Sequence, residues 1–164
     1  MTAGPSSAPA AGFVHRRIVE PILALLRQGI SPEKLALSLA FGFGLGIFPV
    51  FGATTLLCAV AAVALRLNLP AIQLVNYLTS PVQLVLIIPF VRVGEHLVGA
   101  PPQPLTIKAG LALLAAGVLN AVSVLRGAIV HAMIGWLLIG PVVIYVLYRL
   151  LRPVLARAAP RPRA

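Results

Sequence analysis

Charged side chains divide the chain into four uncharged blocks: residues 35–65 between Lys34 and Arg66, 67–91 between Arg66 and Arg92, 109–125 between Lys108 and Arg126, and 127–148 between Arg126 and Arg149. A helix rises about 1.5 Å per residue, so crossing an apolar layer of about 30 Å takes roughly 20 residues. The last block suits one crossing. The first is too long for one and too short for two. Upstream, Val14, Ile18, Ile22, Leu25 and Leu26 recur at helical spacing, while Arg16, Arg17, Glu20, Arg27 and Gln28 fall mostly on the other side. This pattern predicts an interfacial amphipathic helix over 13–30, preceded by a small, Pro-rich and disordered tail over 1–12.

The first block contains its own interruption. Ser31, Pro32 and Glu33 predict a helix start, with a hydroxyl cap, a proline at the first helical position and an acid near the positive end of the dipole. Small residues then occupy every even position from 36 to 46. On a helix they form two rows, Ala36, Ala40, Gly44 and Ser38, Gly42, Gly46, on roughly opposite faces, which predicts close packing on both sides. The helix is expected to fail at Pro49 to Gly52, where proline removes an amide and clashes with the preceding turn, and Gly52 supplies a turn. Each half is about 14 residues, near 21 Å, so the economical arrangement is a hairpin or re-entrant pair. In the second block Asn68, Leu69 and Pro70 predict another helix start, and Thr79, Ser80 and Pro81 predict a second break. The expected fold is an all-α, polytopic helical membrane protein. Two broken (re-entrant or hairpin) segments would pack with one or two further membrane helices over 31–150, followed by a basic carboxyl tail over 151–164.

Composition agrees with this reading. Hydrophobic side chains make up 60% of the 164 residues and charged ones 10%, with a mean hydropathy of +1.02, well above an ordinary soluble domain. The net charge of +10 does not point to nucleic acid, because the cations sit at the ends and between apolar blocks with no aromatic-interleaved stripe. Such flanks suit anionic lipid head groups, and the basic excess at both ends places both termini in the cytoplasm. The apolar run after Arg16 and Arg17 is too short for a signal core. Cys58 is the only cysteine, which excludes an internal disulfide and a cysteine metal cluster and reads as a small buried hydrophobe. The only acids are Glu20, Glu33 and Glu95, and His15, His96 and His131 lack metal-ligand spacing. Gly42, Gly44 and Gly46 precede no Lys-Ser/Thr, so they form no phosphate-binding loop. No enzyme activity, metal or cofactor is expected.

The succession of Ser31-Pro32, the glycine-rich stretch ending in Phe48, Pro49 and Gly52, and then Arg66, Asn68 and Pro70 resembles a bacterial membrane family catalogued as domain of unknown function 2062. The likeness covers about residues 31–150. That family often has Asn-Pro at the second break, whereas here Asn76 and Pro81 stand apart. The resemblance implies a helical fold in the bacterial cytoplasmic (inner) membrane, and no particular activity.

Polar residues in the apolar blocks are the candidate site. Thr54 and Thr55 follow the first break, Asn76, Thr79 and Ser80 surround the second, and Arg66 and Asn68 join the blocks, with Arg92 a weaker candidate. Polar groups at membrane depth are unfavourable unless paired or facing a cavity, and helix starts favour anions. These residues predict a polar, cationic pocket between two broken hairpins, with Gly46, Pro49, Gly52, Pro70 and Pro81 shaping the breaks. The functional expectation is that the protein moves or flips an anionic amphiphile of the phospholipid or polyprenyl-phosphate type, with membrane lipids as its partners. The alternative is a non-transporting adaptor or scaffold that holds an envelope enzyme, or a second copy of itself, by apolar faces.

Overall fold

The computed structural model describes residues 20, 30–102, 115 and 117–159. Within them the chain forms α1 (Pro32–Gly46), α2 (Ala53–Ala64), α3 (Leu69–Val98) and α4 (Val118–Ala158), and no strand is present among the described residues. The amphipathic segment 13–30 lies outside them apart from residues 20 and 30, as do the tail over 1–12 and residues 109–114 and 116 of the third uncharged block.

Two helix starts follow the expected local chemistry. Ser31 Oγ accepts from the Lys34 amide at 3.3 Å, and Asn68 Oδ1 accepts from the Ala71 amide at 2.8 Å, each with a proline in the first turn. α1 ends at Gly46, Pro49 lies in the connecting loop, and α2 begins after Gly52, whose φ is +81°. That left-handed backbone is open to glycine and strained for side chains with a Cβ.

α1 occupies the middle of the described bundle, and its two small rows face different partners. Gly44 lies against Ile144 of α4, while Gly42 lies against Ile72 and Val75, and Gly46 against Asn76 and Thr79, all of α3. Both rows are buried, as the doubled pattern requires. α3 and α4 run antiparallel. Gly94 of α3 meets the His131 carbonyl, and Gly135 of α4 meets the Phe90 carbonyl, so closely that a Cβ at either position would displace backbone. Three apolar clusters fill the interfaces. Leu35, Leu39, Ala71 and Leu155 meet at one end of the bundle, while Ile47, Phe90, Val91, Ala128 and Ala132 meet where α1 stops. Cys58 and Ala62 of α2 pack on Leu45 and Ile72.

The second expected break does not form. α3 is one helix of 30 residues with Pro81 and Pro89 inside it. A capping role for Thr79 or Ser80 would require non-helical backbone. Instead Thr79 Oγ1 donates to the Val75 carbonyl at 2.7 Å, and Ser80 Oγ donates to the Asn76 carbonyl at 3.5 Å. The hydroxyls thus turn back along the helix, while packing against α1 and α4 holds the turns on either side of each proline. α4 likewise passes through Arg126 and runs on to Ala158. It therefore merges residues 118–125 with the last block and extends helix through residues 151–158, which were expected to form a tail.

Replacing Gly52 by valine forces a β-branched residue into positive φ and should destabilise the protein by about 1–2 kcal/mol. No atom lies within 4 Å of a Cβ added there, so crowding is not involved. Thermal unfolding in detergent of Gly52→Val beside wild type measures the effect, and an unchanged midpoint would count against a strained turn.

Candidate functional site

The structure distributes the expected pocket over three places. The first is a cavity of about 430 Å³ lined by Ile30, Ser31, Lys34, Arg66, Leu67 and Asn68. It joins the starts of α1 and α3 to the end of α2. Ser38, fully buried, ties this region together: its Oγ accepts from the Asn68 amide at 2.9 Å and donates to the Lys34 carbonyl at 2.8 Å. Arg66 closes α2. The Leu67 amide donates to the Ala62 carbonyl at 2.8 Å, and the Arg66 amide donates to the Val63 carbonyl at 3.3 Å, the paired bonds of a Schellman closure. Its central position adopts the left-handed conformation and usually holds glycine, yet here it is arginine with φ +52°. Among the described residues it is the only non-glycine at positive φ. The Arg66 side chain is exposed, and no carboxylate among the described residues pairs with it.

The second place is the hairpin's contact with α3 and α4. Gln73 Nε2 donates to the Thr55 carbonyl at 3.0 Å. Asn76 Nδ2 donates to Gln73 Oε1 at 3.2 Å and to Thr55 Oγ1 at 3.4 Å. Farther along α3, Gln83 Nε2 donates to the Phe48 carbonyl at 2.7 Å. From α4, Trp136 Nε1 donates to the Gly44 carbonyl at 2.8 Å, and its ring meets Phe48 edge-on at 4.9 Å. Asn76, Thr79 and Gln83 are buried and are taken up in holding the hairpin, whereas Ser80 is exposed. Thr54 is buried on the first turn of α2.

The third place is the other end of α3. Arg92 NH1 and Glu95 Oε2 are 2.8 Å apart, with the carboxylate buried. Since α1 stops beside Phe90 and Val91, far from the helix starts, this pair is remote from Arg66. Arg66 and Asn68 are therefore brought together with Lys34 and Ser31. Thr55, Asn76 and Thr79 belong to the hairpin seam, and Arg92 joins neither group. The second break also supplies no helix start to aim at a ligand.

Sequence reasoning missed Lys34 and Ser38 at the cavity and Gln73, Gln83 and Trp136 at the seam. Residues 73, 76, 79 and 83 share one face of a continuous helix, a signal hidden by the assumed break at Pro81. The partner of Trp136 lies 92 residues away and leaves no local trace. The cavity is lined by the cations Lys34 and Arg66 and by the polar residues Ser31 and Asn68, groups of the kind that can hold an anion. No group of three or more His, Cys, Asp or Glu side chains capable of holding a metal occurs among the described residues.

These features define an all-helical protein with two helices, Leu69–Val98 and the Arg126–Ala158 part of α4, long and apolar enough to cross a membrane. The chain belongs to the bacterial family DUF2062, described as an uncharacterized protein conserved in bacteria, whose model matches residues 15–163. Neither a curated protein nor a solved structure matches the chain.

Ser38→Ala leaves the Asn68 amide without its acceptor, and Gln83→Leu leaves the Phe48 carbonyl without its donor. Each change should destabilise the protein by about 1–3 kcal/mol. Chemical denaturation in detergent measures both, and values near zero would mean that water replaces the lost partner.

Proposed function

We propose that this is an integral protein of the bacterial inner membrane that binds, and moves across the bilayer, an anionic amphiphile of the phospholipid or polyprenyl-phosphate type. In this reading α3 and α4 cross the bilayer and α1–α2 is a re-entrant hairpin. Exposure supports the embedding: only 28% of the apolar stretch of α3 and 17% of that of α4 is buried within the protein, whereas a soluble core helix would be mostly covered. Hairpin lengths of 15 and 12 residues, about 22 and 18 Å, reach part-way through a core of about 30 Å. The hairpin tip meets Gln83, halfway along α3.

Orientation follows from charge. The end of the bundle that carries the helix starts holds Lys34, Arg66, Arg149, Arg152 and Arg157 against Glu33, with Glu33 and Arg152 paired. The opposite end holds Arg92 and Arg126 against Glu95. The more cationic end, where α1 begins and α4 ends, is assigned to the cytoplasm. Opposite-side accessibility of tags at the two termini would overturn this arrangement.

The observation that carries the binding site is the conformation of Arg66. A left-handed arginine costs about 1–2 kcal/mol where glycine would be unstrained, and the turn places Arg66 with Lys34 in the lining of the cavity. A guanidinium holds phosphate oxygens through two parallel hydrogen bonds, which an ammonium does not reproduce. Two substitutions separate function from folding. Arg66→Gly should leave the unfolding midpoint unchanged or higher while anionic lipid is lost, and Arg66→Lys should retain the charge yet weaken binding by an amount on the order of 1–3 kcal/mol. Native mass spectrometry of the purified proteins reads retained lipid. Equal retention in all three would remove Arg66 from the site and leave the adaptor reading in its place.

A further inference from the structure

Charge and hydrogen-bonding capacity are unevenly matched around the cavity that Lys34 and Arg66 line. Asn68 turns its Oδ1 to the Ala71 amide at 2.8 Å, so the end of the amide left to the cavity is the Nδ2 donor. Ser31 Oγ accepts from the Lys34 amide, which leaves its hydroxyl hydrogen to donate. Lys34 and Arg66 carry donors only, and both are exposed. The lining side chains are thus dominated by donors, and among the described residues they include no carboxylate and no imidazole. Glu33 follows the helix one position before Lys34, where neighbouring side chains do not face each other, and it is bound to Arg152 of α4. Glu95 is held with Arg92 at the opposite end of the bundle. No ion pair among the described residues neutralises Lys34 or Arg66, so two cations border one volume of about 430 Å³.

Such a lining discriminates between two kinds of phosphate. A phosphodiester carries a single negative charge and two unesterified oxygens. A forked guanidinium contact uses both oxygens, which leaves the ammonium without an acceptor and one cation without a counter-charge. A phosphate monoester has three terminal oxygens and a charge of about −1.5 to −2 at neutral pH, its second pKa lying at about 6. It can give two oxygens to Arg66 and the third to Lys34, and its charge offsets both cations. We propose that the Lys34 and Arg66 cavity selects a dianionic phosphate monoester over a phosphodiester. The ligand is then an amphiphile ending in a terminal phosphate, and ordinary diester phospholipids bind more weakly. The inference rests on the proposed function, whose anionic ligand it narrows to one class.

Dodecyl phosphate and its methyl ester, which differ by one esterified oxygen, test this when each is titrated calorimetrically into the full chain in dodecyl maltoside. At about pH 7.5, where the monoester is mostly a dianion, it is expected to bind about tenfold more tightly than the methyl ester, the worth of one further charged hydrogen bond. At about pH 5 both ligands are largely monoanions, and the difference should shrink to about twofold or less. Lys34→Gln should abolish the preference by weakening the monoester, and Lys34→Arg should restore it. Lys34 is exposed, so both variants should unfold at the wild-type midpoint. Inorganic phosphate as a competitor separates the sources. A failure to displace dodecyl phosphate at equal concentration supports a lipid head group, whereas displacement keeps the selection for a dianion and overturns the amphiphile. Equal affinity for the two amphiphiles at the higher pH, a preference unchanged at the lower pH, or a preference intact in Lys34→Gln overturns the inference and leaves the proposed function standing. Binding of neither amphiphile overturns both.

Discussion

The constraint on which this fold depends is that a helix ending inside an apolar bundle must still satisfy its last carbonyls. α1 stops at Gly46 with protein on both sides. Two local bonds close part of the end, from the Ile47 amide to the Phe43 carbonyl and from the Phe48 amide to the Leu45 carbonyl. Side chains from the long helices supply more. Trp136 takes the Gly44 carbonyl, Gln83 takes that of Phe48, and Gln73 takes that of Thr55 just past the turn. These donors fix where the hairpin lies along α3 and α4. Small residues on α1 then bring the backbones close enough for the side chains to reach.

The two ends of the hairpin solve the same problem in different ways. At its base, proline, serine and asparagine close the helix starts with short-range bonds, and Ser38 links one start to the other. At its tip, carbonyls are satisfied by distant side chains, and α2 starts at Gly52 without a side-chain cap. Arg66 stands apart from both solutions, since its backbone is strained at a position that glycine would relieve. A strained residue beside a cavity points to what its side chain does, because the backbone alone gains nothing from it.

How much could be read in advance depended on the range of the interaction. The starts at Ser31 and Asn68, the turn at Gly52 and the doubled small rows of α1 were legible, because each is set within a few residues by capping geometry, backbone sterics or helical period. Arg66 and Asn68 line one cavity because they are neighbours in the chain. The second break was misread for a related reason: Thr79, Ser80 and Pro81 carry the local marks of a helix boundary. Whether a proline ends a helix or lies within it depends on what packs around it, and here α1 and α4 hold the turns on both sides.

By itself, the sequence determined that the chain is helical, that its first apolar block breaks near Pro49 to Gly52, and that its cations sit at the ends and between apolar blocks. Those properties follow from hydropathy, propensity and covalent backbone limits, which act locally. Tertiary structure alone decided that Lys34 and Ser38 join Arg66, that Gln73, Asn76 and Gln83 serve the hairpin, that Trp136 reaches Gly44, and that Arg92 lies apart with Glu95. Each of these pairings depends on how helices distant in sequence cross and align, and the spacing of residues along one chain does not encode the angle or depth at which another helix meets it.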